Sequence, residues 1–151
     1  MFSHRGSFEL GKGALVTEAT NTGKVELDYA YLAEFAQVSN GKITAVGASF
    51  THVSASTFPL HFAVSVAGRI RANKEIETVA LSIEVSPESG EYKVDFDGLL
   101  STSGSRPYGD KIGILFALTT QVFVPRPGVY EFKISLEGTS ARDLKFQVES
   151  N

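Results

Sequence analysis

The hydrophobic positions of this chain recur at every second residue over most of its length, the period of a strand with one wet face. Residues 129–136 show it most cleanly: Tyr130, Phe132, Ile134 and Leu136 point one way, and Glu131, Lys133 and Ser135 the other. Residues 25–38 alternate too, with Val25, Leu27, Tyr29, Tyr31, Ala33 and Phe35 on one face, although their Ala and Leu content would also suit a helix. Ser39-Asn40-Gly41-Lys42 then supplies a hairpin signal, because Asn-Gly accepts the positive φ values of a type I′ turn. The partner strand is expected over 42–53, with Gly47 marking a bulge or a bend. Further alternating runs cover 60–71, 76–85, 91–99 and 143–149. Ser86-Pro87-Glu88-Ser89-Gly90, the polar stretch 101–110 and Gly138-Thr139-Ser140-Ala141-Arg142 separate them.

Residues 111–124 break the alternation. Ile112-Gly113-Ile114-Leu115-Phe116-Ala117-Leu118 is apolar on both faces, which predicts a central strand covered on both sides. It continues to Val122-Phe123-Val124 and turns back at Pro125-Arg126-Pro127-Gly128. The whole pattern predicts an all-β fold without helix: an antiparallel two-sheet β-sandwich of about eight strands, with immunoglobulin-like or related Greek-key topology. Short connections allow consecutive strands to be antiparallel throughout. Residues 1–24, rich in Gly, Ser, Thr and Asn, are set apart as an N-terminal arm or edge segment, and 25–151 as the sandwich domain.

Composition removes several function classes. The 151 residues suit one domain with its own core, and none of them is cysteine. A disulfide framework, a thiolate metal site and a cysteine nucleophile are excluded, and a cytoplasmic location is expected. The net charge of −3, with both signs interspersed, argues against a nucleic-acid surface. No apolar run reaches the ~20 residues that span a bilayer, so no membrane segment is expected. Met1 to Gly6 leads into no apolar run, and no signal peptide is expected either.

Candidate chemistry is thin. Gly6-Ser7-Phe8-Glu9-Leu10-Gly11-Lys12-Gly13 nearly spells a phosphate loop, but Gly13 stands where Ser or Thr must hold the metal, and no clear helix follows. His4, His52 and His61 have no partner at a ligand-like spacing, so no metal site is expected. Asp95 and Asp97 share a strand face, yet with the distant Asp110 they are too few for a calcium shell. Arg69 and Arg71, with His61, make a small basic stripe that suits a soluble strand face. The stretch 101–110 offers Arg106, Tyr108 and Asp110 on a loop beside a rigid scaffold. No Gly-x-Ser-x-Gly is present to raise the expectation of a hydrolase.

Three pieces resemble a bacterial family of small β-sandwich domains of unassigned function. They are Leu27-Asp28-Tyr29-Ala30-Tyr31-Leu32-Ala33-Glu34-Phe35-Ala36 with the Asn40-Gly41-Lys42 hairpin and residues 43–48, Phe58-Pro59, and Phe123-Val124-Pro125-Arg126-Pro127-Gly128-Val129-Tyr130-Glu131-Phe132. The resemblance implies a sandwich and supplies no catalytic residues. The expected function is a non-catalytic module acting through protein–protein contact or self-association, without cofactor. Its contact residues would include Phe8 and Leu10 of the arm, which could add a strand to a neighbour's sheet edge. The alternative is a small-ligand or glycan-binding sandwich that uses Arg106, Tyr108 and Asp110. Here the absence of Trp counts against sugar binding.

Overall fold

The computed structural model describes residues 2–3 and 24–151. In chain order the strands are β1 (Phe2–Ser3), β2 (Val25–Ala33), β3 (Phe35–Ser39), β4 (Lys42–Val46), β5 (His52–Ala55), β6 (Leu60–Asn73), β7 (Thr78–Pro87), β8 (Val94–Ser101), β9 (Lys111–Val124), β10 (Gly128–Leu136) and β11 (Thr139–Ser150). They form three sheets. A six-stranded sheet runs β1-β8-β7-β10-β11-β5, a three-stranded sheet runs β2-β6-β9, and β3 pairs with β4 as a ribbon.

The alternation places one apolar row of each larger sheet in a common core. Val64, Val66 and Ile70 of β6 and Ile112, Ile114 and Phe116 of β9 are buried with Val79, Leu81 and Ile83 of β7 and Phe132 and Ile134 of β10. Each such side chain, fully buried, contributes about 1.5–3 kcal/mol. Phe146 of β11 is the aromatic centre of this core. The rings of Phe50, Phe62, Tyr130 and Phe132 surround it at centroid distances of 5.6–6.4 Å. Tyr130 satisfies its hydroxyl by donating to the Arg126 carbonyl at 2.7 Å.

A second, smaller cluster explains the ribbon. Ala33, Ala36 and Ala67 are buried together, with Tyr31, Ile43, Ala45 and Ala117 packed against them. The three-stranded sheet carries small residues on its outer face here, so a second layer can approach closely. The buried Ser65 hydroxyl accepts from the Ala36 amide at 3.0 Å and meets Thr119 Oγ1 at 2.7 Å, pinning β3 across β6 and β9.

Several expectations are corrected. Residues 25–38 do not form one strand. Glu34 leaves the ladder and its amide donates to the Val46 carbonyl at 3.0 Å, so the chain passes from β2 into the ribbon. Residues 42–53 also divide, into β4 and β5. Gly47, at φ +62°, makes the bend, and Glu34 packs so near it that a Cβ would lie 2.5 Å from Glu34 Cδ. The Asn40-Gly41 turn is as expected, with φ of 53° and 71°. Pairing is not antiparallel throughout, because β5 lies parallel to β11, His52 opposite Gln147. The strand β9 is not central: β6 lies between β2 and β9, and the ribbon covers the second apolar face of β9. The last turn falls at Glu137-Gly138, and Thr139 already belongs to β11. The fold is all-β, and its described strands lie in three sheets.

Candidate functional site

The ribbon covers only part of the outer face of the three-stranded sheet. The uncovered part is built by β2, β6 and the start of β9. The ladder between β2 and β6 shifts register between Leu27 and Tyr29, leaving Asp28 as the extra residue. Such a bulge reverses which side chains face out. Leu27, Ala30 and Leu32 therefore serve the main core, whereas Tyr29 is exposed to 37%. Continuous alternation had placed Leu27 and Tyr29 on one face, and the bulge corrects it.

Tyr29 and Tyr31 stack with centroids 6.3 Å apart and planes at 9°. The Arg69 guanidinium lies 5.2 Å from the Tyr29 ring centre, within cation–π range. Its Nε donates to Asp28 Oδ2 at 2.8 Å, and the charge pair with Asp28 holds the guanidinium pKa above its ordinary value. Arg71 donates to Glu26 through a terminal nitrogen alone, its buried Nε having no partner among the described residues, and its pKa is likewise raised by that bond. Burial, with Tyr29 beside it, pushes the Tyr31 hydroxyl up. At Gly113 of β9 a Cβ would lie 3.3 Å from the Arg69 side chain and 3.7 Å from the Tyr108 ring, so glycine lets both lie flat on the strand. Tyr108 itself is exposed to 48%.

Two arginines and two carboxylates cancel, so the patch is electrically neutral, and its surface is shared by these ion pairs with the Tyr29 and Tyr108 rings. That chemistry suits planar stacking and shape-matched contact. It does not suit capture of an anion, since each guanidinium already holds a carboxylate.

The sequence candidates divide. Tyr108 joins Arg69 and Arg71. Arg106 and Asp110 are exposed, and Asp110 uses its backbone carbonyl to accept from the Lys74 amide at 3.0 Å. His61 does not extend the arginine stripe; its ring lies against Phe123 at 4.9 Å, beyond the ribbon. His52 is exposed and its Nδ1 meets Thr51 Oγ1 at 2.9 Å. Asp97 is buried on the face it shares with Asp95. Among the described residues no three His, Asp or Glu gather closely enough to hold a metal, and no helix is long and apolar enough to cross a membrane. Phe8, Leu10, His4 and the 6–13 loop lie outside the described residues.

Sequence reasoning missed Tyr29, Tyr31, Asp28 and Glu26. One signal was present: Glu26 and Asp28 sit two apart on one strand, matching Arg69 and Arg71 two apart on another. Two open hollows of about 340 Å³ each lie near the other end of β9. Glu91 and Arg126 line the first and pair with each other, which pulls the Glu91 carboxyl below its ordinary pKa. Glu84, Lys93, Glu131 and Lys133 line the second.

Residues 28–149 match the model of a family described as "Family of unknown function (DUF6941)". The chain belongs to this family. The DUF6941 match takes in Asp28, Tyr29, Tyr31, Arg69, Arg71 and Tyr108, and leaves residues 1–27 outside it. Comparison with curated proteins returns no match.

Proposed function

We propose that this DUF6941 protein is a non-catalytic module that acts through protein–protein contact, and that the Tyr29–Tyr31–Arg69–Tyr108 surface makes the contact. The observation that carries the reading is the charge-neutral stack of the exposed Tyr29 on the half-buried Tyr31, with the Arg69 guanidinium over the Tyr29 ring. Tyr and Arg are the side chains most enriched where partners bind tightly, because they supply large area at little entropic cost. In the same reading the two larger sheets are the layers of a β-sandwich of immunoglobulin-like or related Greek-key topology, supported by the core they share. Residues 1–24 serve it as an assembly arm. The exposed Tyr108 ring keeps a second reading, a small-ligand or glycan site on loop 101–110.

The full chain, tagged and expressed in its native host, is expected to retain a partner that the Tyr29→Ala/Arg69→Ala double variant loses. Lys145→Ala, on the far sheet, should keep it. Equal retention by both variants would sink the assignment of this face.

A further inference from the structure

Among the described residues, the open edge of β9 lacks the usual guards of an edge strand. The register pairs Asn73 with Lys111, and the next pair is bonded, the Lys74 amide donating to the Asp110 carbonyl. Bonded and non-bonded pairs alternate in an antiparallel ladder. The even-numbered residues of β9 therefore exchange bonds with β6, and the odd-numbered ones turn their N–H and C=O to the edge. Both ends of the edge agree with this. Lys111 exchanges bonds with the Tyr108 backbone, and the Phe123 carbonyl accepts from the Tyr92 hydroxyl. Between these caps lie Gly113, Leu115, Ala117, Thr119 and Gln121; among the described residues their amides have no partner, and of their carbonyls only that of Gln121 has one, a long contact of 3.5 Å from the Thr120 hydroxyl.

Edge strands are ordinarily guarded by charge, proline, bulges or shortness. The edge strand β2 has Glu26, Asp28 and a bulge, and the edge strand β5 has four residues. The strand β9 has none of these from Ile112 to Val124: no charge, no proline and no register shift. In the ribbon that packs on this sheet, Val38 shares the inward parity of the buried Ala36 yet is exposed to 42%.

We infer that β9 is a self-association edge and that its occupant is β9 of a second copy, paired antiparallel about a two-fold axis. The proposal extends the contact reading to the neighbouring edge of the same sheet, which meets the patch at Gly113. The open run is symmetric about Ala117: centred there, Ala117 faces its mate, Leu115 faces Thr119, and Gly113 faces Gln121. All five open residues then gain partners, and no like charges meet, because residues 112–124 contain no charged side chain.

The test is the solution mass of the full chain by light scattering across a dilution series, with residue-resolved amide exchange. A dimer is expected, with the amides of the five open residues protected and losing protection on dilution. Gln121→Pro removes an outward amide without touching the bonds to β6, and should weaken the dimer by at least about tenfold. Tyr29→Ala, on the opposite edge strand β2, should leave it intact, so failure of the patch and failure of the edge are separable. Were Gln121→Pro to misfold, exchange in the unaltered protein still decides. A monomer overturns the proposal. So does a monomer with those amides protected, which would assign the edge to the chain's own residues 4–23, and so does a dimer with those amides exposed.

Discussion

On the outer face of the six-stranded sheet, Lys93 lies 3.8 Å from Glu84 and 4.0 Å from Asp95, Lys133 lies 3.9 Å from Glu131, and Lys145 lies 2.9 Å from Glu88. On the three-stranded sheet the outward positions are instead Ala33, Ala67 and Ala117, then Tyr29, Tyr31 and Arg69. Both faces follow the same two-residue period. The first is finished by water and by its own ion pairs, which individually contribute little. The second is finished by another layer of protein over its small residues, and by stacked rings where that layer stops. A strand pattern thus tells which side chains face outward, while residue size and charge tell what the outward face is for.

The largest effect should come from removing the small-residue seat of the ribbon. Ala67→Leu has no room between β6 and β3, and overpacking of this kind costs about 2–3 kcal/mol in denaturant unfolding. Lys133→Leu, which puts the same side chain on the open face, should stay within about 0.5 kcal/mol. Equal costs would erase the distinction between a covered and an open face.

A smaller effect is expected from the polar pin. Ser65→Ala leaves the Ala36 amide without its acceptor, at about 1–2 kcal/mol. Amide exchange should quicken in β3 and β4 while β10 and β11 keep their protection. A uniform loss across the molecule would mean that the ribbon is not a separate layer.

The smallest concerns the place where the faces meet. Tyr92 is pushed up to about 12, chiefly by burial, with Tyr130 and Glu91 nearby adding to the shift. Its neutral hydroxyl donates to Phe123 on β9. A phenol whose folded pKa lies above its unfolded value of 10.0 contributes stability that is complete below that pH and fades as the pH rises toward about 12. The unfolding midpoint should therefore fall over this range, and fall less in Tyr92→Phe. Parallel profiles for the two proteins would count against the link.

Much of the fold was legible because period two survives burial on one face. The alternation at 129–136 and 60–71 gave strands that the structure contains, and Asn40-Gly41 gave its turn. What stayed hidden was whatever depends on a single residue out of step. One bulge at Asp28 put Tyr29 on the face opposite to that of Leu27. One residue at Glu34 divided a run into strands of different sheets. The doubly apolar face of 112–118 was read as a central position, yet a strand covered by a ribbon carries the same composition as one flanked by neighbours. The site was less legible than the fold. Tyr108 was singled out, but Arg106 and Asp110 do not gather with it, and its companions lie on distant strands.

The parallel ladder of β5 and β11 has a consequence for how the molecule assembles. It joins His52–Ala55 to residues 147–150. The loop it closes is the longest-range pairing within residues 24–151, and its closure entropy must be met before any contact offsets it. Hairpins such as β3–β4 and β10–β11 can form as soon as their own residues exist. This ladder must wait for nearly the whole domain to be synthesised, and until then residues 52–55 have no sheet to join.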